Sequence, residues 1–128
     1  MSNIPDDLHY TREHEYLKRT DEDGVFAVGV TDYAQGELGD VVFVELPPVG
    51  ATFQRGDVFG TIEAVKAVSD LYAPVGGEVV EVNDFLDDDP ARVNSDPYQE
   101  GWMIKVRLAD ASELEQLLDA AEYALHVG

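Results

Sequence analysis

The chain contains no cysteine, so disulfides, thiolate metal sites and a thiol nucleophile of its own are all excluded. Any sulfur chemistry must come from an attached group. Basic residues are scarce, at 8 against 27 acidic ones, which gives a formal net charge of −19. Such a surface cannot neutralise phosphates, so nucleic acid is excluded as a partner, and so is an anionic membrane face. Only three lysines occur, Lys18, Lys66 and Lys105. No apolar run approaches the ~20 residues needed to span a bilayer. The first residues, Met1-Ser2-Asn3-Ile4-Pro5-Asp6-Asp7, lack the basic and apolar regions of a signal peptide, which points to the cytoplasm. The three histidines form no i, i+4 pair of the zinc-helix kind, and no G-x-S-x-G elbow is present.

Within these limits the chain is suited to folding. At 128 residues and 45% hydrophobic content it fits one domain, residues 1–128, with a core of its own. Charge of one sign at this density repels itself at low salt. Concentrated salt shortens the Debye length to ~3 Å at 1 M and relieves the repulsion. An acidic, lysine-poor composition therefore reads as that of a halophile's cytoplasm, with an acidic mesophilic protein as the alternative.

Turn signals are frequent and apolar runs short, which predicts a mainly β fold. Strands are expected at 25–30, 40–46, 58–65, 68–73, 78–82 and 102–108, with Pro47-Pro48 and Pro74 ending two of them. Thr31–Gln35 predicts a short helical turn capped by Thr31 or Asp32. Asp87-Asp88-Asp89-Pro90 reads as an acidic surface loop. Ser112 can cap a helix over about 112–125, with Leu114, Leu117, Leu118, Ala121 and Leu125 on one face. Gly56 lies ten residues before Lys66 and Gly77 eleven after it. Two glycine turns about a central lysine suggest two similar halves, and the hairpin core is expected over about 40–83.

The segment that carries chemistry is Glu63-Ala-Val-Lys66-Ala-Val-Ser-Asp70, followed by Pro74-Val-Gly-Gly-Glu-Val-Val-Glu-Val-Asn83. Apolar residues flank Lys66 on both sides. With no Gly, Pro or Asn, nothing local marks a turn there. The run resembles the lipoyl-lysine motif of glycine cleavage H proteins, E-S-V-K-A-x-S-D followed by P-x-S-G-E-V-x-E-V-N. The resemblance extends to His14-Glu15-Tyr16, Gly29–Gln35, Leu38-Gly39-Asp40, Val42–Pro47, Asn94–Tyr98 and Gly101-Trp102. It thus covers about residues 10 to 123. Tyr16, Ala64 and Gly76 depart from the family's tryptophan and two serines.

The resemblance implies a flattened β-barrel or sandwich of the lipoyl/biotinyl-carrier (hammerhead) type with a C-terminal helix, and Lys66 at the tip of a hairpin. It implies (R)-lipoate in amide linkage to Lys66, with no catalytic residues in the carrier itself. Glu63 and Gly77 would serve recognition by a lipoylating enzyme. The implied partners are glycine decarboxylase (P protein), which loads an aminomethyl group, aminomethyltransferase (T protein), which removes it, and dihydrolipoyl dehydrogenase (L protein), which reoxidises the arm. An S–CH2–NH2 group breaks down when the nitrogen lone pair expels sulfur, and a nearby carboxylate keeps that nitrogen protonated. By resemblance, Glu15 and Asp70 would line such a holding pocket. A monomer is expected. A biotin carrier would place methionines beside the lysine, and a 2-oxo acid dehydrogenase lipoyl domain would place Asp immediately before it. Val65 and Ala67 stand there instead. A paralogue that donates lipoyl groups, or a non-catalytic interaction module, would keep the same motif and stays open.

Overall fold

Val25–Val30 is buried along its whole length and forms a strand with neighbours on both sides. In this computed structural model, which describes residues 3–127, it is β3 of nine strands. The others are β1 (His9–Tyr10), β2 (Glu15–Arg19), β4 (Val41–Glu45), β5 (Thr52–Phe53), β6 (Val58–Ala64), β7 (Val68–Tyr72), β8 (Gly77–Val82) and β9 (Ile104–Leu108). Helices are α1 (Asp32–Leu38), α2 (Phe85–Asp88), α3 (Arg92–Ser95) and α4 (Ala120–Val127). Met1, Ser2 and Gly128, and with them part of the segment read for a leader, lie outside the described residues.

All strand pairs are antiparallel. One sheet has the order β1-β2-β3-β9-β8-β5 and the other β4-β6-β7. They sandwich one apolar cluster that includes Leu17, Val28, Ile62, Leu71, Val79 and Met103. Each such side chain, fully buried, contributes about 1.5–3 kcal/mol. The sheets do not close into a barrel: β7 is an edge of the smaller sheet. A second cluster gathers Leu8, Tyr10, Tyr16, Tyr98 and Tyr123. Tyr10 and Tyr123 stack at 4.7 Å, and the Tyr10 and Tyr16 hydroxyls donate to the Pro5 and Pro97 carbonyls, which satisfies their buried polar ends.

Three local expectations are revised. The acidic stretch at 87–90 is not a plain loop, because Leu86 is buried and draws Phe85–Asp88 into one helical turn. The helix expected over 112–125 is broken in two. Asp110, not Ser112, caps a 3-10 turn over Ala111–Gln116, and α4 begins only at Ala120. The break has a tertiary cause. Leu118 exchanges backbone hydrogen bonds with Tyr10, both at 2.8 Å, and this holds Leu117–Leu118 extended. Finally, Gly77 is not a turn residue but the first residue of β8. The spacing about Lys66 has a different meaning: β6 pairs with β7, and outside them β5 pairs with β8, with Phe53 opposite Gly77. No helix among the described residues is long and apolar enough to cross a membrane.

Candidate functional site

The β6–β7 hairpin closes with Glu63 opposite Val68 and with Ala64 N–H donating to the Ala67 carbonyl at 2.7 Å. That leaves Val65 and Lys66 as the exposed loop. Two-residue hairpin loops favour positive φ, and hence Asn or Gly. Among the described residues His14 is the one non-glycine with positive φ, so neither Val65 nor Lys66 supplies that geometry. The tip is held from outside instead. Val65 N–H donates to the Asp40 carbonyl at 3.0 Å, and Val41 pairs with Ala64. Lys66 makes no ion pair among the described residues. Its aliphatic chain lies over Gly39, where an added Cβ would stand 3.2 Å from Lys66 Cε.

Gly39 ends α1, and α1 forms one wall of a cleft of about 260 Å³. Ala34, Leu38, Val30, Ile62 and Leu71 supply its apolar surface, and Glu13, Glu15, Glu37 and Asp70 its carboxyls. The cleft runs along the free edge of β7. Glu15 is 2% exposed, its acid group is held at two points, and its main-chain amide gives a third anchor. Thr11 Oγ1 donates to Oε1 at 2.9 Å, Tyr72 N–H donates to Oε2 at 3.2 Å, and Glu15 N–H donates back to Thr11 Oγ1 at 3.1 Å. Burial outweighs these donors and pushes the Glu15 carboxyl up to about 8. At neutral pH the group therefore holds its proton.

The turn before Glu15 is strained to place it. His14 has φ 72°, in the left-handed region that a bulky residue rarely adopts. Its Nδ1 lies 2.8 Å from the Tyr123 hydroxyl, which in turn lies 2.7 Å from Thr31 Oγ1. Thr31 also caps α1 through Ala34 N–H. One hydroxyl pair thus ties the β1–β2 turn, α1 and α4 together around the cleft.

Of the residues singled out in the sequence, Glu15 and Asp70 come together in the cleft, although 55 positions separate them in the chain. Asp70 is exposed at the rim, opposite Thr61 on β6. Glu63 is exposed on β6 close to the tip, in one row with Phe43 and Val68, themselves 49% and 65% exposed. Gly77 joins none of these. It sits in the other sheet, beyond the far end of β7, where an added Cβ would stand 2.3 Å from the Arg107 carbonyl. Thr11, Gly39 and Asn94 join the site although no sequence signal assigned them a role there. Thr11, four residues before Glu15 across a short turn, was within reach of local reasoning. Asn94 was not, since its partners lie more than fifty residues away. No group of three His, Asp or Glu able to hold a metal occurs among the described residues.

Comparison with known proteins agrees with this arrangement. The family described as "Glycine cleavage H-protein" matches residues 8–127. The glycine cleavage system H protein of Enterobacter sp. (strain 638) is 56% identical over 124 residues, 97% of this chain and 95% of the relative. That of Chlorobaculum parvum is 56% identical over 126 residues, 98% of each chain. The crystal structure of a glycine cleavage system H protein from Mycobacterium marinum superposes with a TM-score of 0.88 at 44% identity, covering 98% of this chain and 99% of that one. With this match over nearly its whole length, the chain belongs to the glycine cleavage H-protein family, the lipoyl carriers of that system rather than its enzymes.

Proposed function

We propose that Lys66 bears (R)-lipoate in amide linkage, and that the cleft lined by Glu15 and Asp70 holds the carried amine between partners. The observation that carries this reading is the placement of Lys66. It is an exposed lysine without an ion pair among the described residues, and its chain is laid over Gly39 at the end of the helix that walls the cleft. The residues fit the group. Val30, Ala34, Leu38, Ile62 and Leu71 suit an aliphatic arm, and the carboxyls suit a cation at its end. When bound, lipoate supplies a redox-active dithiolane at the end of a long tether, which raises the effective concentration of the sulfur at each partner's active site.

The chain's own residues have three tasks in this reading. Lys66 gives the attachment point. Glu15, protonated while the cleft is empty, releases that proton to solvent through the open cleft when an ammonium group lies against it, because a nearby cation favours the carboxylate. The nitrogen then keeps its own proton. Asp70 adds negative charge at the rim. Glu63, a carboxylate among the exposed apolar residues Phe43, Val65 and Val68, is the residue we assign to recognition by the lipoylating enzyme. Gly77 supports that recognition only by letting β8 approach β9.

As partners we assign glycine decarboxylase, aminomethyltransferase and dihydrolipoyl dehydrogenase, met by a monomeric carrier in the cytoplasm. The acidic surface we assign to a saline cytoplasm. Intact-mass spectrometry of protein from a lipoate-replete host tests the attachment. One lipoyl addition is expected, absent from Lys66→Arg, and unmodified native protein would overturn the reading. Glycine–bicarbonate exchange with the partner decarboxylase then separates a glycine carrier, which supports exchange, from a lipoyl-donor paralogue, which does not.

A further inference from the structure

We propose that the turn between α1 and β4, Gly39–Asp40, is a built seat for the lysine arm, and that Gly39 and Asn94 are its positioning residues. The inference rests on the reading that the arm on Lys66 docks in the cleft. Three features meet at this turn. First, Gly39 has φ 81° and ψ −157°, a backbone conformation open essentially to glycine alone. Its bare Cα leaves the surface free where the Lys66 chain crosses, with Cε 3.2 Å and Nζ 3.8 Å from the position a Cβ would take. Second, the next carbonyl, that of Asp40, accepts from Val65 N–H and so fixes the residue before the lysine.

Third, the turn is itself clamped from α3. The Asn94 side chain donates to the Gly39 carbonyl at 2.8 Å and to Gln35 Oε1 at 3.0 Å, and it accepts from Val41 N–H at 2.9 Å. One amide thus satisfies backbone groups on both sides of Asp40, and its hydrogen bonds go to the turn and to α1 rather than to the lysine. Because the tip's own loop lacks the turn chemistry a two-residue hairpin favours, the position of Lys66 depends on this external hold. Beyond Gly39 the path is continuous. Leu38, the residue before Gly39, and Ala34, about one and a half turns back along α1, are cleft walls. The seat therefore sets both where the amine is presented and the direction in which the arm leaves it.

The test uses full-length protein, lipoylated and then loaded by the partner decarboxylase with glycine, and compares its backbone amide spectrum with that of the same variant left unlipoylated. Taking the difference within each variant cancels any change in the fold itself. In the wild type the arm is expected to shift the amides of Ala34, Leu38, Gly39 and Leu71. In Gly39→Ala and in Asn94→Ala those arm-dependent shifts should fall at least threefold, while mass spectrometry still finds the lysine fully lipoylated. Asn94→Ala adds no volume and keeps the bare glycine, so it carries the test if Gly39→Ala does not fold. Wild-type-sized shifts in the folded variants would overturn the seat while leaving the docked arm intact. If the wild type shows no arm-dependent shift along α1, the docked-arm reading fails and the seat falls with it. Shifts that behave as expected, with a cargo lifetime unaltered in Glu15→Gln, would leave the seat standing and remove only the role of Glu15.

Discussion

The Tyr72 main-chain amide donates to Glu15 Oε2 at 3.2 Å, so a free sheet edge is satisfied by a buried carboxyl where another strand would otherwise pair. The two residues lie in different sheets. Their contact bridges the sandwich at the place where it stays open, and the cleft borders that gap.

This placement makes stability depend on pH in a definite direction. Glu15 titrates at about 8 when folded, against an ordinary 4.5. Below about 4.5 both folded and unfolded chains hold the proton. Between about 4.5 and 8 only the folded chain holds it, so stability falls as pH rises through that window and then levels off. The loss approaches ~1.4 kcal/mol for each pH unit between the two values, several kcal/mol in all. Glu15→Gln removes the titration. Urea midpoints measured from pH 4 to 9 should converge at the acid end, apart from a constant offset, and separate in favour of the variant at the alkaline end. Parallel curves would contradict the assignment.

Glu63→Gln should slow enzymatic lipoylation of Lys66 several-fold while leaving the melting temperature within a degree or two. The side chain is exposed, and such surface changes usually stay within ~0.5 kcal/mol. An initial-rate assay followed by mass spectrometry reads both forms. Equal rates would show that the enzyme recognises the apolar residues or the hairpin shape alone.

Gly77→Ala acts on the sheet. A methyl 2.3 Å from the Arg107 carbonyl forces β8 away from β9, and overpacking of this kind costs about 1–3 kcal/mol. Thermal unfolding should register the loss. Lipoylation of the fraction that remains folded should proceed at the wild-type rate, and a slower rate in fully folded protein would return Gly77 to the recognition surface.

Stability should rise with salt. The chain carries 27 acidic residues against 8 basic ones, and four ion pairs form among the described residues, all with partly exposed partners. Moving from 0.1 M to 1 M salt shortens the Debye length from ~10 Å to ~3 Å and screens the excess repulsion. A urea midpoint that rises with sodium chloride is expected. A flat response would count against a saline cytoplasm.

The amino-acid sequence by itself determined what depends on neighbours along the chain. Strand 25–30 follows from its valine-rich apolar run, the Thr31 cap from a hydroxyl three residues before the Ala34 amide, and the end of β4 from two prolines. The lysine motif, by resemblance, marked Lys66 as the proposed attachment point and Asp70 as a companion, and an earlier block marked Glu15. Tertiary structure decided whatever joins distant parts. Glu15 meets the Tyr72 amide across 57 positions, and Asn94 meets Gly39 across 55. The turn at Val65–Lys66 is imposed by the Asp40 carbonyl, and the C-terminal helix is cut by Tyr10. The physical reason is the same in each case. A backbone group or a buried acid must find a partner, and when that partner lies far along the chain, local propensity carries no record of it.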